Sequence, residues 1–387
     1  MSLRGLVVTL TTLALVIHAV PASDAQCLLP IVLAKPEARG AHSMVFDPYN
    51  EMVVVFGGTS MEGGLHSLGE TLTYSYPSNQ WARLTCTANP SARSNHAMVY
   101  CNSTNEIILY GGFGTTDTWS FSCETQIWSE IVTSTNPGVH HSLALAYDPL
   151  ENVVILFGGF NETGRETDET WKFDLATREW SELTPAIAPL ARYGHVMVYD
   201  ESVKLIILTA GNTATQGHQD DTWAYNATDN TWTELIPTGK PDPLKWPSMT
   251  YDSANQKCIL FGGQIGDNAV DRTWVYDALM NTWTRQYPDL SPQERINTGL
   301  AYDSVQNVTI LFGGLSAGTT LDDTWSYSYE SDTWTKMDLG SGSTTTISTT
   351  PYIPDGPGLT ALTYYIVLSV GTISAVVVVV FLIKRRG

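Results

Sequence analysis

Positive charge is scarce in this 387-residue chain, where 20 lysines and arginines face 39 aspartates and glutamates for a formal net charge of −19. With residues 1–25 and 361–387 set aside, 16 basic residues remain against 38 acidic ones. Nucleic acid is excluded as a partner on this ground, because holding a phosphate backbone needs clustered Lys and Arg. Cysteine is limited to five residues with no C-x2-C pair, so a thiolate metal site is not expected. The chain has neither a phosphate loop nor a His-Glu-x-x-His motif, and no cofactor is expected.

Aromatic residues and glycine are plentiful, with 12 Trp, 18 Tyr and 31 Gly. That mixture suits β-structure with aromatic packing and many tight turns. The two ends carry different signals. Residues 1–25 join Arg4 to an apolar run from Leu6 to Val20 and finish in Pro21-Ala22-Ser23-Asp24-Ala25, the pattern of a secretory signal peptide cleaved after Ala22 or Ala25. Residues 361–383 read as a transmembrane helix, whose uncharged part Thr363 to Ile383 would rise about 31 Å, the thickness of a bilayer core. Lys384-Arg385-Arg386 follow at once, and the positive-inside tendency puts the tail 384–387 in the cytoplasm and everything before the helix outside. Between them, residues 338–360 hold Gly340-Ser341-Gly342-Ser343, a Thr/Ser run and three prolines, the composition of an extended stalk.

Residues 39–337 repeat six times. Each unit has an apolar run ending in a glycine pair, as at Gly57-Gly58, Gly111-Gly112 and Gly158-Gly159, with Ala210-Gly211 as the variant. Two tryptophans nine residues apart follow: Trp119 and Trp128, Trp171 and Trp180, Trp223 and Trp232, Trp274 and Trp283, Trp325 and Trp334. The first unit keeps Trp81 and has Leu72 in place of the other. The apolar runs, such as Val153 to Phe157, predict strands buried on both faces, and Asp-Pro-x-x-Asn-like turns before them predict tight hairpins. Four short strands per unit cannot bury both faces alone, whereas stacking around a ring achieves it.

The double glycine, the aspartates before the first tryptophan (Asp322-Asp323-Thr324-Trp325) and the spaced tryptophan pair resemble the kelch repeat. The resemblance implies an all-β fold, a six-bladed β-propeller by the count here. The fifth unit departs from it, with Leu244 and Pro247 where Arg39/His42, Arg93/His96 and Arg192/His195 stand elsewhere. Two closures of the ring remain open. Either the sixth unit uses only its own strands, or residues 26–38, through Cys27 to Ala34, supply a fourth strand to the last blade.

In such a ring the loops between strands two and three and between successive blades share one face, and short turns occupy the other. The longer and more varied loops make the first face the candidate binding face. His66, Glu70, Arg165, Asp168, His218, Asp220, Asp221, Asp267, Asp271 and Asp322 are its candidate contact residues, and an extracellular protein or glycan the expected partner. His218 with Asp220 and Asp221 has donors for a divalent ion, against the reading, preferred here, that the aspartates cap the turn into the third strand. His42, His96 and His195 occupy repeat-equivalent positions and are expected to be structural. Asn102, Asn161, Asn226 and Asn307 head glycosylation sequons, in keeping with export. Cys101 with Cys123 is the expected disulfide, Cys27 with Cys86 the remaining pairing, and Cys258 a buried free thiol. The kelch-bearing galactose oxidase is the enzymatic alternative to a binding or adhesion module. Its activity needs a cysteine linked to a tyrosine and a histidine-bearing copper site, which Cys258 inside a strand does not match.

Overall fold

In the computed structural model, residues 27–86, 88–338, 360–370 and 373–383 are described. Residues 39–338 form six antiparallel sheets, each of four consecutive principal strands. The innermost strands are Ser43–Asp47, Ala97–Cys101, Ala144–Asp148, Tyr193–Asp200, Ser248–Asp252 and Gly299–Asp303. Each packs against the innermost strand on either side, and the last returns to the first, so the sheets are the blades of a closed six-bladed propeller.

The apolar runs form the second strand of each blade for a simple reason. In Met52–Phe56, Val53 and Val55 point toward Phe312, Ile310 and Trp81, in the seam between the sixth and first blades. Val54 and Phe56 point the other way, toward Ile107, Leu109 and Trp128, in the seam with the second blade. A strand whose alternate residues are both buried needs apolar side chains throughout, which is the sequence observed. Each fully buried Val or Phe contributes about 1.5–3 kcal/mol.

The tryptophan repeat has a partner that the sequence pattern does not announce. The second tryptophan of every blade is buried, and its indole N–H donates to the threonine that opens the third strand of the preceding blade. The six bonds are Trp128 to Thr71 (2.8 Å), Trp180 to Thr118 (2.9 Å), Trp232 to Thr170 (3.2 Å), Trp283 to Thr222 (3.0 Å), Trp334 to Thr273 (2.9 Å) and Trp81 to Thr324 (3.1 Å). The last joins the first blade to the sixth and closes the ring. Turns are fixed locally: the Asp47 carboxylate accepts from the amides of Tyr49 and Asn50, and Tyr74 donates to Asn79, itself at φ 50°.

Closure uses the sixth blade's own four strands. The N-terminal strand Cys27–Leu33 lies instead antiparallel to Gln80–Cys86, as a fifth strand outside blade one. That outer strand otherwise presents an unpaired edge, which an added strand satisfies. The expected Cys101–Cys123 disulfide is not formed, and both are buried free thiols. The strand Glu106–Tyr110 lies between theirs, and two strand spacings come to about 9.5 Å, beyond disulfide reach. Cys27 stands opposite Cys86 in the backbone register. Cys258 is a buried free thiol, as expected.

In a separate unit, Thr360–Val370 and Ile373–Ile383 pair as an antiparallel hairpin, where hydropathy predicts a transmembrane helix. Among the described residues no helix is long and apolar enough to cross a membrane. Five consecutive valines, Val376 to Val380, explain the strand, since β-branched side chains favour it where no bilayer is present. The expected signal peptide, most of the expected stalk and the expected cytoplasmic tail lie outside the described residues.

The Trp–Thr bonds carry a testable consequence. Trp232→Ala is expected to lower the unfolding free energy by about 3–5 kcal/mol. Thr170→Val, which keeps the shape and orphans the indole N–H, should lower it by about 1–3 kcal/mol. Denaturant unfolding of both variants measures the two, and equal stability of wild type and Thr170→Val would show the bond to be worth nothing.

Candidate functional site

The long-loop face is organised by backbone geometry at the axis. One residue per blade, Ala41, Asn95, Ser142, Gly194, Trp246 and Asn297, sits at positive φ, between 51° and 64°. The amide of each donates to the carbonyl of its counterpart in the preceding blade: 2.8 Å from Ala41 to Asn297, 2.9 Å from Asn95 to Ala41, 2.8 Å from Ser142 to Asn95, 3.0 Å from Gly194 to Ser142, 2.7 Å from Trp246 to Gly194 and 3.1 Å from Asn297 to Trp246. Six bonds running in one sense make a complete circle.

Outside the circle lies a ring of ion pairs. Arg39, Arg93, Arg192 and Arg295 have fully buried guanidinium groups, each bonded to a backbone carbonyl at the first position of the glycine pair. They pair with Glu70 (2.9 Å), Asp117 (2.7 Å), Asp221 (2.6 Å) and Asp323 (2.6 Å). Asp117, Asp221 and Asp323 also accept from the first tryptophans, Trp119, Trp223 and Trp325. In the third blade His140 and Glu169 stand in for the pair, at 3.4 Å. In the fifth the charges exchange sides, with Arg272 on Asp242 where Leu244 replaces the arginine. Burial works against the Asp323 carboxylate, but the Arg295 guanidinium outweighs it and holds the pKa below the usual carboxylate range. The glycine pair exists for this junction: a Cβ on Gly57, at φ +66°, would meet the Arg93 carbonyl at 2.5 Å.

Glu70 and Asp221 therefore latch the segment entering a blade to that blade's own loop between its second and third strands, and the turn-capping role expected of Asp221 is replaced by an ion pair. Asp220 pairs with Lys240 at 2.7 Å, Asp322 with Lys35, and His66 approaches Glu37 at 3.3 Å. Arg165, Asp168, Asp267 and Asp271 are exposed on the loops. No group of three or more His, Cys, Asp or Glu among the described residues is placed to hold a metal ion, so His218, Asp220 and Asp221 are not brought together as ligands. Among the sequons, Asn102 is exposed, Asn161 and Asn226 bond their own turns, and Asn307 accepts the Tyr302 hydroxyl at 3.1 Å. The run Gly314-Leu315-Ser316-Ala317-Gly318 has the spacing of a nucleophile elbow, yet it forms a two-residue β-hairpin and the Ser316 hydroxyl faces Glu294 at 3.5 Å.

The feature that sequence reading missed is aromatic. Phe113, His141, Phe160, Tyr193 and Trp246 form an arc across blades two to five, with successive ring centroids 3.9, 5.1, 4.2 and 6.0 Å apart. Lys245 places its ammonium 4.3 Å from the centroid of the Trp246 ring. Phe113 and Phe160 directly follow glycine pairs, the one signal in the sequence that placed them on this face. Trp246 ends the arc at the axis, where it lines a cavity of 100 Å³ together with His42, His96 and His195. A bulky residue at φ 57° is strained, and Gly194 accommodates it, since a Cβ there would lie 2.4 Å from the indole. Burial, then Lys245, lowers the pKa of His218 at the arc's flank, and Asp267 opposes the shift.

The three cavity imidazoles are buried, and their pKa values fall to about 3, chiefly by burial and then, for His42, by Arg39. Each is neutral in the folded state and binds a proton on unfolding below its ordinary pKa near 6.5. Stability is thus highest above pH 6.5 and falls as pH drops toward 3. His96→Phe should flatten that fall by about one proton in the pH dependence of denaturant unfolding; an unchanged slope would place the imidazole in water.

A family model described as the KLHDC2/KLHL20/DRC7 Kelch-repeats domain matches residues 21–188 and 149–349. Over 130 residues the chain is 29% identical to Kelch domain-containing protein 10 of Xenopus tropicalis, covering 32% of this chain and 31% of that protein. The Xenopus laevis counterpart is 28% identical over the same length, with the same coverage. The chain spans about a third of the length of these relatives.

Proposed function

This chain belongs to the kelch-repeat family, and from that premise we propose that it is a cell-surface binding module whose long-loop face engages a protein or glycan. A kelch propeller suggests a protein-binding module. The observation that carries the finer reading is the aromatic arc from Phe113 to Trp246, since contiguous aromatic rings beside a cation supply rigid, partly apolar contact area. The latched arginines beneath it hold the loops still, so little ordering entropy is lost on binding. Export rests on residues 1–25, and anchoring on the uncharged run 361–383. In a bilayer the anchor is helical, because the hairpin's unpaired edges would have no water to bond.

The test is a chain ending at Thr360, expressed in secreting cells and used as bait for crosslinking to native surface extract and for a glycan array. It should be recovered from the medium and retain a discrete ligand, and Trp246→Ala or Phe160→Ala should weaken retention by roughly tenfold or more. A bait that stays in the membrane fraction contradicts the topology. Ligand retained equally by the arc variants contradicts the face.

A further inference from the structure

At the opposite end of the axis, among the short turns, an open funnel of 440 Å³ is lined by all six innermost strands. Its inner layer is Met44, Met98, Met197 and Met249 with Leu145 and Leu300, each 6–8% exposed. The outer layer is Phe46 followed around the ring by Tyr100, Tyr147, Tyr199, Tyr251 and Tyr302. These are the second and fourth residues of successive innermost strands, or of their equivalents, so the pleat itself stacks a thioether layer beneath an aromatic one. No lysine or arginine lines the funnel, and Glu201 at the mouth is its one charged lining residue.

Behind the rim stands a ring of acids. Asp47, Asp148, Asp200, Asp252 and Asp303 end five of the six innermost strands and are no more than 2% exposed. They are held by turn amides, as when Asp148 accepts from Leu150 and Glu151. Their field reaches the rim: burial and then Asp148 push the Tyr199 hydroxyl up to about 12, and Asp200 and Asp252 act in the same direction on Tyr251 and Tyr302. The Tyr251 oxygen is buried without a hydrogen-bond partner.

We propose that this funnel binds a small organic cation with an apolar body, its substituted ammonium within the tyrosine rim and its hydrocarbon part against the methionines. Tyrosine faces attract ammonium groups, and the aspartate ring deepens the negative potential at the mouth. Thioethers adapt to irregular apolar shapes, and the volume lies in the range of small-molecule sites. An anion would meet the same field as repulsion. The site is independent of the arc, from which it is separated by the length of the ring axis.

The probe is benzyltrimethylammonium, titrated into the full-length chain carrying 13C-methyl methionine and followed by NMR. The methyl resonances of Met44, Met98, Met197 and Met249 should shift saturably. Neopentylbenzene, the uncharged isostere, should bind roughly fivefold more weakly or worse. Met197→Lys, which puts a cation into the funnel, should abolish the shifts. Glu201→Lys, on the exposed rim where folding is not at stake, should weaken binding at low salt with Tm unchanged. Unmoved methionine methyls in the wild type, equal affinity for the isostere, or no effect of Glu201→Lys at low salt would each overturn the proposal.

Discussion

The circle of six backbone hydrogen bonds at the axis is the constraint on which the rest of the molecule depends. It demands a left-handed residue once per blade, at Ala41, Asn95, Ser142, Gly194, Trp246 and Asn297. With that residue fixed, the next blade's innermost strand starts at a set place and angle. The arginine two positions earlier in four of the blades then reaches its carboxylate, and the glycine pair allows the two backbones to meet. Farther out, the tryptophan of each blade arrives at the threonine of the one before. The ring is thus tied blade to blade by backbone at the axis and by indole farther out, and the ion pairs hold each entering segment on its own blade. Its closure between the sixth and first blades is made by three ties: Ala41 to Asn297, the Arg39 backbone to Leu321 and Gly314, and Trp81 to Thr324. A buried guanidinium left unpaired would cost more than the pair contributes.

Two ends of one axis consequently carry different chemistries on a scaffold that does not distinguish them. At the long-loop end the irregular residues collect, because variation there disturbs no seam: Phe113 and Phe160 follow glycine pairs, and Trp246 occupies a position that alanine, asparagine, serine or glycine fills elsewhere. At the short-turn end the strands themselves make the surface, and the repeat produces stacked rings of like residues. Recurrence around the ring is ordinarily a sign of architecture, and the imidazoles of His42, His96 and His195, in three of the six blades, fit that description. The methionine and tyrosine layers recur too, but they face an open volume, and a repeated side chain that meets solvent on an axis builds a site by repetition.

The fold was legible because its signals are backbone requirements. A glycine pair at positive φ and a fixed tryptophan interval repeat whatever the loops do, so the count of six blades followed from spacing alone. The partners of those residues were less visible. Thr71 or Thr170 is one of many threonines until the neighbouring blade brings an indole to it, and Asp221 resembles a turn cap until Arg192 lies beside it. Cys101 and Cys123 appeared pairable because both follow strands of one blade at the same end, and the intervening strand separates them. The N-terminal strand went to blade one because edge pairing is a tertiary choice that seven residues do not encode. The valine-rich run near the C-terminus satisfies the hydropathy of a helix and the propensity of a strand, and its surroundings decide between them. The aromatic arc was missed because successive members lie 19 to 53 residues apart and aromatic residues at their positions do not recur in every unit.

Hydrogen exchange at the six axial amides tests the closed circle most directly. The amides of Ala41, Asn95, Ser142, Gly194, Trp246 and Asn297 should exchange together and only with global unfolding, since opening any one of them breaks a ring rather than a chain. Exchange at Ala41 many times faster than at Ser142 would show instead that the seam between the sixth and first blades opens by itself, and that the propeller is an arc of six blades held without a closed circle.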